Sequence, residues 1–189
     1  GMTLENAVFS YLGEPAGFQY RPVNRLDKGT SGLMVVAMHA HAQQYMQRRL
    51  HSDVFLREYL AVCDGFPPAN EGVIDAAIAK AEGASIRRIV CAQGRPARTD
   101  YRVERAGSFR SLLRLRLHTG RTHQIRVHLA SVGCPVTGDF LYGAEHPLLP
   151  RRFALHRALL QLETLNGKHI RLESAPPDVF LKLLSENQP

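Results

Sequence analysis

The chain has 189 residues, 44% of them hydrophobic and 22% charged, the proportions of a globular protein large enough for one real core. Lys plus Arg number 24 against 17 Asp plus Glu, a formal +7 with a sequence pI near 9.7, which points to an anionic partner, nucleic acid first. No stretch approaches the roughly 20 apolar residues of a membrane span, and "GMTLENAVFSYLG" lacks the basic, apolar and cleavage regions of a secretory signal. The expected compartment is therefore the cytoplasm, with no membrane partner. Cys63, Cys91 and Cys134 lie far apart with no C-x-x-C pair, against a disulfide framework or a zinc ribbon. His39 and His41, and then His118, His123 and His128, miss the three- or four-residue step of a helical metal pair, so no metal site is expected.

In chain order, Leu4, Ala7, Val8, Tyr11 and Leu12 recur at helical steps up to Gly13 and predict a first helix. The short, β-branched run Leu33–Ala37 predicts a buried strand led in by a polar loop, Asn24–Gly32. "HAQQYMQRRLHS" sets Ala42, Tyr45, Met46 and Leu50 on one face of an amphipathic helix. "FLREYLAVCDG" predicts a strand ending at Asp64-Gly65, with Tyr59 sharing a face with Ala61 and Cys63. "GVIDAAIAK" and "SIRRIVCA" predict two strands about a turn at Gly83, and "ARTDYRVERAG" a third. In "SLLRLRLHTG", Leu113, Leu115 and Leu117 alternate with Arg114, Arg116 and His118, a strand with one buried and one cationic face.

After Gly120 the period changes. Ile125, Leu129 and Val132 share a helical face, with Thr122 as the expected cap and Gly133 as the stop. "RALLQLETLNGKHIRLESA" predicts a hairpin closed by a type I′ turn at Asn166-Gly167. "PPDVFLKLLSENQ" predicts a closing helix with Pro177 near its first turn and Val179, Phe180, Leu183 and Leu184 inward. Hairpins dominate and no βαβ unit repeats, so the expected class is α+β: a single domain over residues 2–189, with a mixed, mostly antiparallel sheet and flanking helices. Gly1 is set aside as an expression remnant.

Three groups of residues could carry chemistry. Asp27 lies between Arg25 and Lys28 in the polar loop, and opposite charges nearby favour the charged form of a carboxylate, able to act as base, nucleophile or ligand. A plain loop salt bridge is the competing reading. "LHTGRTHQIRVHLA" gathers Arg121, His123, Arg126 and His128 where a strand gives way to a helix N-terminus, a setting for anions or a solvated basic face. Tyr59 is either a core tyrosine with its hydroxyl at the edge or a ring able to stack on a base and shuttle a proton.

Taken in order, "NRLDKGTSG", "REYLAV", "ARTDYRV", "LHTGRTHQIRVHLASVGCPVTGDFLYG" and "FALHRALLQLE" followed by "ESAPPD" resemble the RluA/RluD type of RNA pseudouridine synthase, colinearly from about Leu4 to Phe180. The resemblance implies a cofactor-free catalytic domain that isomerises uridine in structured RNA, ribosomal RNA by default and transfer RNA as the alternative. It implies that Asp27 is the catalytic aspartate, Tyr59 the active-site tyrosine and Arg126 the arginine paired with the aspartate. Arg25 takes the position associated with displacing the flipped nucleotide. Thr30, Leu117, Arg121, His123 and Ile125 are expected to contact the substrate, Leu117 and Ile125 as walls. Asn24 stands where many relatives have histidine and is read as supporting. The family's usual leading strand and K-P-x-G segment, and an S4-like module, are not found in this sequence, and a missing strand would leave a sheet edge open. The rival readings are a catalytically inactive RNA-binding relative and a metal-dependent nuclease using the histidines and Asp27. A monomer is the expected state.

Overall fold

A computed structural model describes residues 3–83 and 86–186. Helix α1 (Leu4–Tyr11) begins at a capping box between Thr3 and Asn6, and Gly13 follows it at φ +77°. Next come β1 (Ser31–Gly32), α2 (Ala40–Arg49), β2 (Leu56–Asp64), β3 (Glu71–Asp75), β4 (Ile78–Lys80) and β5 (Arg88–Val90). The chain continues through β6 (Arg98–Ala106), β7 (Arg110–Leu117), α3 (Gln124–Ser131), β8 (Leu155–Glu163), β9 (His169–Glu173) and α4 (Val179–Ser185). The expected α+β class holds: a seven-stranded sheet runs β1-β8-β2-β7-β6-β3, with β9 also on β8, and a separate β4–β5 ribbon stands beside it. Among the described residues of the large sheet, the β1–β8 pair is parallel and the other pairs are antiparallel.

The apolar face of β7 behaves as its alternation predicts, Leu113 and Leu115 being fully buried. They join Val62, Leu129, Val136 and Leu183 in a core between the sheet, α3 and α4. A second cluster, Val23, Ala37, Ala42, Phe55, Leu160 and Leu162, packs under α2. The opposite face of β7 is cationic as expected and keeps Arg116 exposed, while neighbouring strands pair with its other two basic residues. Arg114 pairs with Glu58 of β2 at 3.1 Å and Glu104 of β6 at 2.8 Å, and His118 meets Asp100 of β6 at 2.6 Å.

Four predicted details shift for local reasons. The expected strand Leu33–Ala37 is displaced to Ser31–Gly32: Gly32, at φ +103°, turns the chain off β8 after a two-residue pairing. The segment beyond bonds backward instead, Val23 N–H to Val35 O and Ala37 N–H to Arg21 O. "GVIDAAIAK" splits, its first half pairing with β6 and its second with β5; Ser85 of the predicted partner strand lies outside the described residues, as do Asn187 and Gln188 of the predicted last helix. At Asn166-Gly167 only the glycine has positive φ, and Gly167 N–H bonds Thr164 O, so the turn is a type I with a glycine bulge rather than type I′. Finally, His123, not Thr122, occupies the N-cap of α3, in the left-handed region at φ 56° and without a side-chain cap.

Candidate active site

The loop ahead of β1, the middle of β2, the β7–α3 turn and the start of β8 converge on a cleft of about 310 Å³. Asp27, Tyr59, Arg126, Arg25, Thr30, Leu117, Arg121, His123 and Ile125, all singled out from the sequence, line it. Asp27 opens a turn closed by Thr30 N–H on Asp27 O at 2.9 Å. Gly29 makes that turn fit: a Cβ there would overlap the Phe153 ring. The same ring lies 4.2 Å from the Arg126 guanidinium, so one phenylalanine seats both the aspartate's loop and the arginine.

Arg126 projects from α3 and is almost wholly buried. Its Nε and Nη2 grip Asp139 at 2.6 and 2.8 Å, a bidentate fork, while Nη1 reaches Asp27 Oδ2 at 3.4 Å. Burial alone would lower the arginine's pKa, but the hydrogen bonds and charge of Asp139, then those of Asp27, outweigh it and hold it above the ordinary value. Asp27 is thus paired from the far half of the chain; among the described residues its adjacent cations Arg25 and Lys28 form no ion pair with it.

Tyr59 is placed by a bulge. The β2–β8 register slips between Glu58 and Tyr59, so that Tyr59 faces Arg157, as bulges beside functional sites often re-aim a side chain. Arg157, 2% exposed, donates from Nε and Nη2 to the Tyr59 hydroxyl at 2.9 and 2.5 Å and from Nη1 to Leu33 O at 3.1 Å. The phenol accepts both bonds and keeps its own O–H for another acceptor.

The β7–α3 turn is organised by Gln124. Its carbonyl accepts from Thr119 Oγ1 at 2.8 Å and Arg121 N–H at 2.9 Å, and its amide donates to Arg98 O and Thr99 Oγ1, both at 3.0 Å. This network fixes the turn that leads into α3 without capping the helix itself. His123 Nδ1 lies 2.9 Å from the Tyr142 hydroxyl, which also accepts the Arg88 N–H at 2.8 Å. Burial first, and the Arg126 and Arg88 charges after it, lower the His123 pKa against the opposing pull of Asp27. His128, grouped with these residues by sequence, lies elsewhere: fully buried, it bonds Thr99 Oγ1 and Ala76 O, both at 2.9 Å.

Sequence reasoning assigned no role to Asp139, Arg157 or Phe153. A lone arginine inside the apolar run "ALHRALL" was the available signal for Arg157, since a charge in a central strand must find a partner. Asp139 and Phe153 had no local signal, because their meaning comes from Arg126.

The family model described as RNA pseudouridylate synthase matches residues 4–131. The chain is 42% identical over 172 residues to ribosomal large subunit pseudouridine synthase D of Nitrosomonas europaea, covering 86% of this chain and 49% of that protein. It is 37% identical over 177 residues to the protein of the same name in Haemophilus ducreyi, covering 86% and 54%. Human RNA pseudouridylate synthase domain containing 1 superposes with a TM-score of 0.79 at 28% identity, over 93% of this chain and 74% of that one. The chain belongs to the RNA pseudouridylate synthase family. It spans about half the length of the curated relatives it matches.

Proposed function

We propose that this chain isomerises uridine to pseudouridine in structured RNA, ribosomal RNA first, with Asp27 as the reacting group. The observation that carries the reading is the Asp27–Arg126 pair at 3.4 Å in a cleft that Tyr59, Leu117 and Ile125 also line. The names of the relatives from Nitrosomonas europaea and Haemophilus ducreyi support the ribosomal choice.

The reaction breaks the N1–C1′ bond, turns the uracil and joins C5 to C1′, with the C5 proton passing to N1 or solvent and no net redox change. The Asp27 carboxylate starts it, by attacking C1′ or by taking the 2′ proton; both routes need the carboxylate fixed below the sugar, which Arg126 and the Phe153-seated turn provide. Tyr59 packs against the uracil and relays the C5 proton after the new bond forms, giving up its own O–H proton to N1 or solvent as it takes that one. Arg25 fills the space the everted base leaves in the RNA. Arg121, Thr30 and His123 contact the nucleotide. Eversion costs a few kcal/mol, offset by phosphate contacts to a chain of +7 formal charge.

Incubating the protein with unmodified large-subunit rRNA transcript and mapping carbodiimide-dependent primer-extension stops tests this. The wild-type chain should create a stop at a defined uridine and Asp27→Asn none, while still binding RNA. An undiminished rate in Asp27→Asn removes the assignment, and RNA binding by wild type without any stop identifies an inactive binder.

A further inference from the structure

A second cationic arrangement in the cleft is separate from Asp27 and Arg126. Arg57, two residues before Tyr59 on the same face of β2, is 5% exposed, yet no carboxylate pairs with it among the described residues, and its Nε has no hydrogen-bond partner. Among the described residues its one side-chain bond is from Nη2 to His51 Nδ1 at 3.2 Å. A buried guanidinium left this way is costly, and burial followed by repulsion from Arg157 lowers its pKa against the pull of Tyr59. Gly120 closes over the group: a Cβ there would stand 3.1 Å from the His51 ring and 3.5 Å from Arg57 Nη1. That bare backbone position leaves the guanidinium reachable from the cleft.

Gly120, Arg121 and Thr122 also line a neighbouring groove of about 370 Å³, walled by Lys80, Arg88 and Arg95 and by no acidic residue. Lys80 and Arg88 face each other across the β4–β5 ribbon, which Tyr142 ties to His123 through the Arg88 N–H. Among the described residues none of Arg57, Arg121, Lys80, Arg88 and Arg95 forms a salt bridge, in contrast to Arg102, Arg114 and Arg171 on the strands β6, β7 and β9.

We propose that Arg57 and Arg121 bind a backbone phosphate next to the everted nucleotide, and that the RNA strand leaves the cleft over Gly120 along Lys80, Arg88 and Arg95 of the β4–β5 side. This rests on the RNA reading of the cleft and adds the direction of the strand. The planar, multi-donor guanidinium suits a phosphodiester, and an anion in that place supplies the counter-charge that Arg57 lacks. Residues on β9 lie off this path.

Salt titration of binding to a fluorescein-labelled oligouridylate, read by anisotropy, tests the path without requiring turnover. Each lost phosphate contact lowers the slope of log affinity against log salt by about 0.7 for a single strand. Arg57→Gln should show that loss and bind about tenfold more weakly, Arg57→Lys should recover the slope, and Arg95→Gln should lower it without touching the buried site. Arg171→Gln on β9 should leave it unchanged. If Arg57→Gln proves unfolded by circular dichroism, Arg121→Gln and Arg95→Gln carry the test. Wild-type slopes in those variants overturn the path, as does an equal fall in Arg171→Gln. Failure of the functional reading shows separately, as RNA bound along this path with no carbodiimide stop.

Discussion

One guanidinium serves two carboxylates at Arg126, and they are unequal. Asp139, wholly buried, takes the bidentate fork, while the partly exposed Asp27 takes a single longer bond. The stronger pair fixes the arginine so that the weaker one can orient Asp27, leaving its carboxylate accessible to a substrate. Asp139→Asn keeps the shape but leaves a buried cation short of its partner, a class of change that costs about 3–5 kcal/mol. Urea unfolding should register that loss, and conversion of the rRNA transcript should fall with it even under conditions where the variant is folded, because Arg126 is then free to swing. Full activity in folded Asp139→Asn would mean that Asp27 needs no such anchor.

Among the elements, the loop from Asp27 to Gly32 shows how far a chain can be read before its partners are known. Its polar content ahead of an apolar run left a plain turn and a candidate site both open, and it was the colinear motifs that grouped Asp27 with Tyr59 and Arg126, which the structure brings to one cleft. The strand itself came out shifted, because a glycine with positive φ and a parallel neighbour 125 residues away leave no periodic trace. Likewise the start of α3 was legible in its period, but Gln124 as organiser of the turn was not, since its bonds go to Arg98 and Thr99 on another strand. Contacts across the chain, rather than propensity, decided both cases. Gly32 gives the testable instance: a Cβ there would collide with the Arg157 backbone, and φ +103° is strained for any other residue. Gly32→Ala should cost about 1–3 kcal/mol, seen as a lower urea midpoint, and should weaken turnover by moving Asp27. An unchanged midpoint would show that the β1–β8 pairing tolerates side chains.

For the molecule as a whole, basic charge and buried histidines set an acid limit. His128 is fully buried, donating from Nε2 to Ala76 O and accepting at Nδ1 from Thr99 Oγ1, an arrangement that only the neutral ring can make. Burial lowers its pKa, with the Ala76 carbonyl and Asp75 opposing, and burial likewise lowers that of His156. An unfolded histidine titrates near about 6.5, so below that pH the unfolded chain binds protons that the native one refuses. The stability from these rings is complete above about 6.5, is lost as pH falls through their depressed native values, and then levels off. Glu104 and Glu186 work in the same direction, their pKa values lowered first by hydrogen bonds from Arg114 and Arg110 respectively, but only at lower pH, in the carboxylate range. Urea midpoints should therefore hold steady from about pH 8 to 7 and fall between about 6.5 and 5.5, before the carboxylates protonate. In His128→Gln, which keeps a neutral polar group, the midpoint should start lower at pH 7.5 and fall less steeply across that window. An equally steep fall in the variant would locate the acid sensitivity away from α3.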